Sequence, residues 1–292
     1  MTENNSLGAL IEANSRDLTE AERRVADILL KSEEVAALYT AGEIAQMAGT
    51  SDSTVIRLAR TLGLSGYLEM QRVARRKVME ELHSRTPDRL HAAEESLQNE
   101  DLIGRVFAKD ALNLQVTTKN ISRRVFQNLV ADVVSARRVY VVGSRTASSL
   151  TGLLCFCLRL LRENVRDLTG QLEEDYDRLL EASSNDVMIG FSMARYATHT
   201  LSVMSIAGSK GVKLYGVTDS MISPVNNLTS QIILVSNDSL SITPSPTAAV
   251  AFIHALVAAV GLDLTSRDNG VEERLKELEN IYDATKMYWT EG

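Results

Sequence analysis

Through the first eighty residues apolar positions recur three and four apart, the spacing of helices buried along one face. Thr19, followed three residues later by Glu22, makes a capping-box pattern that opens a helix, and Val25, Ile28, Leu29 and Leu30 supply its buried stripe. A short helix around Glu33 to Leu38 leads to two more helices within Ala41 to Leu62. Ile44, Ala45 and Ala48 are the apolar face of the first; Val55, Leu58, Ala59 and Leu62 are that of the second. Gly49 stands where the chain turns sharply, a place that favours a residue tolerant of positive φ. Ser51 or Asp52 is suited to cap the second helix. Ala45 and Gly49 are small where two steeply crossing helices approach, and Val55 fills the angle between them. Such a pair reads as a helix-turn-helix able to lie in a DNA groove. Gly63, Ser65 and Gly66 then interrupt the chain before a long helix from Tyr67 to Leu82.

The pattern changes beyond residue 100. Residues 84–100 are polar and contain Pro87, a linker between an all-helical module over residues 1–83 and a second domain over 101–292. Helical segments over 102–122 and 125–136 precede the first β-like run, Arg138 to Val142. Four more runs follow at Asn164–Leu168, Asp186–Phe191, Lys213–Val217 and Gln231–Val235. Apolar helical stretches at 148–161, 176–182, 198–208 and 247–264 separate or follow them, and residues 270–292 form a terminal helix. Short, nearly continuous apolar strands alternating with helices predict a parallel five-stranded sheet covered on both faces. The fold class is therefore α/β, an all-α module followed by a doubly wound domain.

Composition is that of an ordinary soluble protein, 45% apolar and 24% charged. No apolar run is read as long enough to span a bilayer, and the N-terminus has no secretory pattern, so a cytoplasmic protein without a membrane partner is expected. Cys155 and Cys157 point to different sides of a helix and read as buried thiols rather than a metal or redox pair. No metal-ligand spacing and no cofactor motif is present, so neither is expected. The net charge is −7. Yet residues 52–77 carry six basic and two acidic side chains, a local +4 that leaves −11 on the remainder. A small basic module on an acidic body suits a DNA reader with a separate sensing domain. A solvated helix face accounts equally for the Arg72 to Lys77 cluster.

Candidate DNA contacts follow from the second helix of the pair. Ser51, Asp52, Ser53, Thr54 and Arg57 lie at or near its N-terminal end, with Ser53, Thr54 and Arg57 placed to read base edges and Arg57 able to contact guanine bidentately. Arg60, Ser65 and Tyr67 are placed to hold phosphates. In the second domain, the loops after the strands are rich in hydroxyls: Gly143, Ser144, Arg145 and Ser148 after the first, Ser192, Arg195 and Tyr196 after the third, Asp219 and Ser220 after the fourth. Hydroxyls and free helix N–H groups hold anions, and the two arginines add charge-assisted contacts. Helix capping is the plain alternative for these Ser and Thr residues.

Leu18-Thr19 with Val25-Ala26, Glu43-Ile44-Ala45, Ser51, Thr54-Val55, Arg57, Arg60-Thr61-Leu62-Gly63 and Ser65-Gly66-Tyr67 resemble the N-terminal domain of RpiR-type bacterial transcription regulators. The second half resembles the sugar isomerase (SIS) domain of those regulators, and the two resemblances span residues 16–265. They imply a regulator whose operator binding responds to a small anionic metabolite, a phosphosugar or related sugar acid. They imply also a homodimer or homotetramer on a palindromic double-stranded site. Two departures stand out. Arg145 occupies a turn that is Gly-rich in sugar-phosphate binders. Of the Ser-x-Ser-Gly-x-Thr cradle after strand three only Ser192 matches, with Ala194 at the second serine and Arg195 at the glycine. A sugar-phosphate isomerase of the same fold is the rival reading; its base would come from Glu173, Glu174, His199 or His254, none of them in a recognisable catalytic pattern. An architectural DNA-binding protein without a ligand is a third.

Overall fold

The computed structural model of the chain describes residues 6–78, 101–169, 172–267, 270–287 and 289. It divides into two compact units, Met1–Asp88 and Arg89–Gly292. The expected end of the long helix, the boundary at 83 and the linker over 84–100 lie outside the described residues.

In the first unit, α1 (Leu7–Ala13), α2 (Glu20–Lys31), α3 (Glu34–Leu38), α4 (Ala41–Met47), α5 (Asp52–Thr61) and α6 (residues 67–78) bury Leu7, Val25, Leu29, Ile44, Val55, Leu58 and Met70 among themselves. Leu30, expected in the buried stripe of α2, is exposed. Capping boxes open α2 at Thr19/Glu22 and α4 at Thr40/Glu43. α4 ends in a Schellman motif: the Gly49 amide donates to Gln46 O and the Thr50 amide to Ala45 O, with Gly49 at φ +59°. α5 ends the same way, with Gly63 at φ +80° and bonds from Gly63 to Arg60 O and from Leu64 to Ala59 O.

In the second unit, α7 (Leu102–Asn120) and α8 (Arg123–Ser135) lead into a parallel sheet. Its strands are β1 (Val139–Gly143), β2 (Val165–Asp167), β3 (Val187–Ser192), β4 (Lys213–Thr218) and β5 (Ile232–Leu234). They lie in the order β2-β1-β3-β4-β5. The connecting helices are α9 (Ala147–Leu161), α10 (Leu172–Arg178), α11 (Thr198–Ser209) and α12 (Thr247–Ser266), and α13 (Val271–Thr285) closes the unit. Alternate strand residues serve two cores. Val139, Val141, Ile189, Phe191 and Val217 pack with α8, α9 and α12. Tyr140, Val142 and Met188 pack with Val203, Met204 and Ala207 of α11. Both faces are covered, as near-continuous apolar strands require.

Two expectations are corrected. The helix before β3 begins earlier than the 176–182 stretch, because Leu179 and Ala182 belong to the turns that follow α10 and pack on the sheet from there. α12 is long and apolar enough, at mean hydropathy 1.9, to cross a bilayer by length and composition. Here Ala249, Phe252, Ile253, Leu256, Val260 and Leu264 commit one face of it to the sheet core.

α7 is sewn to the segment after β5. Asn113, 1% exposed, donates through Nδ2 to Asp238 O (2.7 Å) and accepts from Ser236 Oγ (2.8 Å). Thr117 Oγ1 accepts from the Ser236 amide (2.8 Å), and Asp110 Oδ2 accepts from Thr247 Oγ1 (2.8 Å).

Candidate functional site

Of the two glycines at the ends of α4, the one that faces α5 is Gly42 rather than the expected Gly49. A Cβ built on Gly42 of α4 would lie 3.2 Å from Asp52 Oδ2 of α5, whereas one on Gly49 meets nothing within 4 Å. Gly49 is thus required by its backbone angle, whereas a side chain at Gly42 would first meet the Asp52 carboxylate. Ser51 occupies the N-cap of α5, but its hydroxyl bonds to those of Ser53 (2.8 Å) and Thr54 (3.1 Å) instead of a helix amide. Thr54 is buried, so it organises the start of the helix from within; Ser51, Asp52, Ser53 and Arg60 are exposed.

Arg57 is held rather than free. Its Nε donates to Glu22 Oε1 (3.3 Å) and its Nη2 to Thr54 Oγ1 (3.4 Å), while 58% of the side chain stays exposed. Glu22, 1% exposed, accepts on Oε2 from the Thr19 amide (2.9 Å) and hydroxyl (2.6 Å), and on Oε1 from Thr61 Oγ1 (3.3 Å). Burial alone would raise its pKa; the Thr19 and Thr61 hydrogen bonds and the Arg57 charge outweigh it and hold the carboxyl below its ordinary value. Sequence reasoning missed this, although the signal was present: a carboxylate at the third helix position has one oxygen left over once it has capped its own helix.

Tyr67, expected at a phosphate, donates instead to the backbone carbonyls of Tyr39 and Ala36 at the end of α3, and burial pushes its phenol up to about 12. Arg75 Nε donates to Ala37 O (2.9 Å), so part of the basic cluster fastens α6 to the carbonyl end of α3. Ser65 is exposed, and its amide donates to Glu69 Oε2 (2.6 Å).

In the second unit the strand order reverses between β1 and β3, and ligands of doubly wound sheets sit in the crevice such a switch point opens. The two arginine-bearing loops therefore become neighbours: Gly143 pairs in register with Phe191, and Ser144 Oγ lies 3.0 Å from Thr200 Oγ1. Arg145 (φ +59°) and Arg195 (φ +65°) both adopt the left-handed conformation, so Arg195 keeps the backbone trace that a glycine would give. α9 and α11 start without side-chain caps, at Thr146 and Ala197. Ser148 Oγ donates to Arg145 O (2.6 Å) and so stabilises its own turn. Gly143 has its own structural reason, since an added Cβ would lie 2.7 Å from Thr151 Oγ1 and 3.1 Å from Ala147 O. Ser192 is 2% exposed, and its hydroxyl has no hydrogen-bond partner among the described residues.

Asp219 faces protein groups. It accepts from the Ala194 amide (3.0 Å), Tyr196 hydroxyl (3.2 Å) and Asn237 Nδ2 (3.0 Å), tying the loops after β3, β4 and β5 together. Burial, then the Asp219 charge, raises the Tyr196 pKa far above its ordinary value. Ser220 is half-buried beside it, and its hydroxyl accepts from the Ile222 amide (3.3 Å).

Of the candidate bases, Glu174 is exposed and pairs with Arg178 (3.3 Å), and His254 is exposed on α12. His199, in the first turn of α11, sets Nε2 3.0 Å from Asp175 Oδ2, a fully buried carboxylate. The side chain of Glu173 lies outside the described residues. Among the described residues no cluster of His, Cys, Asp or Glu is arranged to hold a metal ion.

The family profile of the helix-turn-helix domain of the rpiR family matches residues 6–78, and the SIS domain profile matches residues 132–259. The chain belongs to the RpiR family. An HTH-type transcriptional regulator, HexR of Pseudomonas aeruginosa, is similar at 24% identity over 210 residues, 71% of each chain. An HTH-type transcriptional regulator of Haemophilus influenzae is 24% identical over 242 residues, 80% of this chain and 79% of that one. Among solved structures, the sugar isomerase domain of an RpiR transcription factor from Sphaerobacter thermophilus superposes with a TM-score of 0.58 at 23% identity, over 62% of this chain and 99% of its own. NanR of Vibrio vulnificus, solved with ManNAc-6P, superposes with a TM-score of 0.59 at 17% identity, over 96% of this chain and 99% of its own. The protein is thus a DNA-binding transcriptional regulator of the RpiR family with a SIS domain, of α/β class.

Proposed function

We propose that a small anionic metabolite, a phosphosugar or related sugar acid, binds at the β1/β3 switch point and controls operator binding. The observation that carries this is that α9 and α11 start without side-chain caps beside two exposed, left-handed arginines. Helix N-termini without side-chain caps favour anions, and guanidinium groups add bidentate contacts. The buried Ser192 hydroxyl at the end of β3, without a hydrogen-bond partner among the described residues, supports the same edge. The ligand class is supported by NanR, a protein of the same fold solved in complex with ManNAc-6P. Gly143, Ser144, Arg145, Ser192 and Arg195 line the site in this reading, whereas Ser148, Tyr196, Asp219 and Ser220 shape its loops.

The first unit reads DNA through α5: Ser53 and the uncommitted N–H groups of Arg57 face base edges, and Ser51, Arg60 and Ser65 face phosphates. A homodimer or homotetramer would present paired readers to a palindromic operator, and the ligand acts by preferring one arrangement of subunits. The site binds and does not catalyse, in keeping with relatives named as regulators. The test is a thermal-shift panel of sugar phosphates and sugar acids on the full chain, repeated with Arg145→Ala and Arg195→Ala. A binder that loses its shift in both variants and changes operator affinity supports the reading. A binder indifferent to both places the site elsewhere, and aldose–ketose conversion of that binder would establish the isomerase instead.

A further inference from the structure

We propose that Glu22, a buried residue of α2, is a positioning residue for sequence reading: it fixes the Arg57 guanidinium on α5 and so sets the base preference of the protein. The inference rests on the reading of α5 as the DNA-reading helix. Glu22 itself is 1% exposed and lies outside α5, so it acts only through another side chain.

The division of labour within one carboxylate carries the argument. Oε2 is used by α2, accepting from the Thr19 amide and hydroxyl in the capping box. Oε1 is turned to α5, where it accepts from Arg57 Nε and Thr61 Oγ1 at 3.3 Å each. The hydrogen bonds continue along α5. Arg57 Nη2 donates to Thr54 Oγ1, Thr54 Oγ1 meets Ser51 Oγ at 3.1 Å, and Ser51 Oγ meets Ser53 Oγ at 2.8 Å. One chain of contacts thus joins the start of α2 to the hydroxyls at the start of α5.

The guanidinium plane is fixed by two anchor points. Of its five N–H groups, one is committed to Glu22 and one to Thr54, which leaves three for DNA. An arginine on an exposed helix surface otherwise samples many rotamers, and the ordering it undergoes on binding weakens the contact. Held at both Nε and Nη2, Arg57 presents its fork in one orientation before DNA arrives. A bidentate contact to guanine needs that geometry, whereas a phosphate accepts many approaches.

The experiment selects duplexes from a randomised library with the full chain. It then measures affinities for the selected site and its single-base variants by fluorescence anisotropy at fixed salt. Wild type, Glu22→Gln, Arg57→Ala, the double variant and Ser6→Ala are compared. Gln keeps an acceptor for the α2 cap while removing the charge that holds Arg57. Ser6→Ala weakens the cap of α1, whose hydroxyl accepts from the Ala9 amide, and controls for destabilisation alone. The expected result is that Glu22→Gln and Arg57→Ala relax discrimination about tenfold at the same base pair, that the double variant is no worse than Arg57→Ala, and that Ser6→Ala keeps the wild-type preference. Unchanged preference in Glu22→Gln, or additive losses in the double variant, would overturn the proposal. If Glu22→Gln weakens all duplexes equally, Glu22 merely stabilises the fold. A wild-type protein that selects no sequence overturns the reading of α5 as well.

Discussion

Asp219→Ala tests how the loops at the carboxyl edge of the sheet, the proposed ligand site, are held together. The carboxylate accepts three hydrogen bonds from three different segments: the Ala194 amide, the Tyr196 hydroxyl and Asn237 Nδ2. Tyr196 is 8% exposed, so its hydroxyl loses a partner that water replaces poorly. Ala194 and Asn237 are half-buried, and water restores part of their loss. A buried donor left unsatisfied costs about 1–3 kcal/mol, and bonds to charged groups lie at the upper end of the scale. With Tyr196 dominant and the other two contributing fractions, the loss comes to about 2–4 kcal/mol. In a unit of this size that lowers the melting temperature of the second unit by roughly 5–15 °C. Scanning calorimetry of the full chain measures it, with Asp219→Asn losing less because it keeps an oxygen acceptor in the same shape. A melting temperature within about 3 °C of wild type would show that the carboxylate is not the tie between the loops.

Other perturbations have equally definite outcomes. Arg195→Gly keeps the left-handed backbone while removing the guanidinium, so sugar-phosphate thermal shifts should be lost; shifts equal to those of wild type would remove Arg195 from the site. Gly49→Ala, with open space around the new methyl, should cost about 1 kcal/mol from backbone angle alone in a thermal melt, and a larger loss would reveal a packing role. Because the folded pKa of Glu22 is lowered, its stabilising contribution is complete above the ordinary carboxylate range and is lost as pH falls through the lowered value. Acid melts of the first unit should therefore be flatter in Glu22→Gln, and parallel curves would contradict the assignment. Burial pushes the Cys155 thiol up to about 12, so iodoacetamide at pH 8 should label it only on unfolding; rapid labelling of the native protein would refute this.

The architecture was legible because its signals are local. The strand read at 138–142 is β1 at Val139–Gly143, and Thr198 begins a helix in both accounts. The helix before β3 was misplaced because its first turns, Leu-Glu-Glu-Asp, are polar and its turn is apolar, which reverses the usual cue. For the candidate site residues, the partners that hold each side chain were not legible. Thr54 looks exposed beside Ser53 until Ser51 and Arg57 claim its hydroxyl. Arg57 looks free because its partner lies 35 residues earlier. Asp219 looks like a ligand contact because nothing local reveals that Ala194, Tyr196 and Asn237 converge on it. Long-range pairing decides these roles, and periodicity does not carry it.

The stitching of α7 to the segment after β5 bears on where this protein can be cut and recombined. The SIS profile begins at residue 132, past the end of α7. A fragment begun there would strip Asn113 and Thr117 from Ser236 and Asp238, next to the Asn237 that holds Asp219. The unit that must be inherited whole therefore starts with α7. A chimera joined ahead of residue 101 would keep these ties, and one joined at the profile boundary would carry the sheet with the loops after β3, β4 and β5 unfastened.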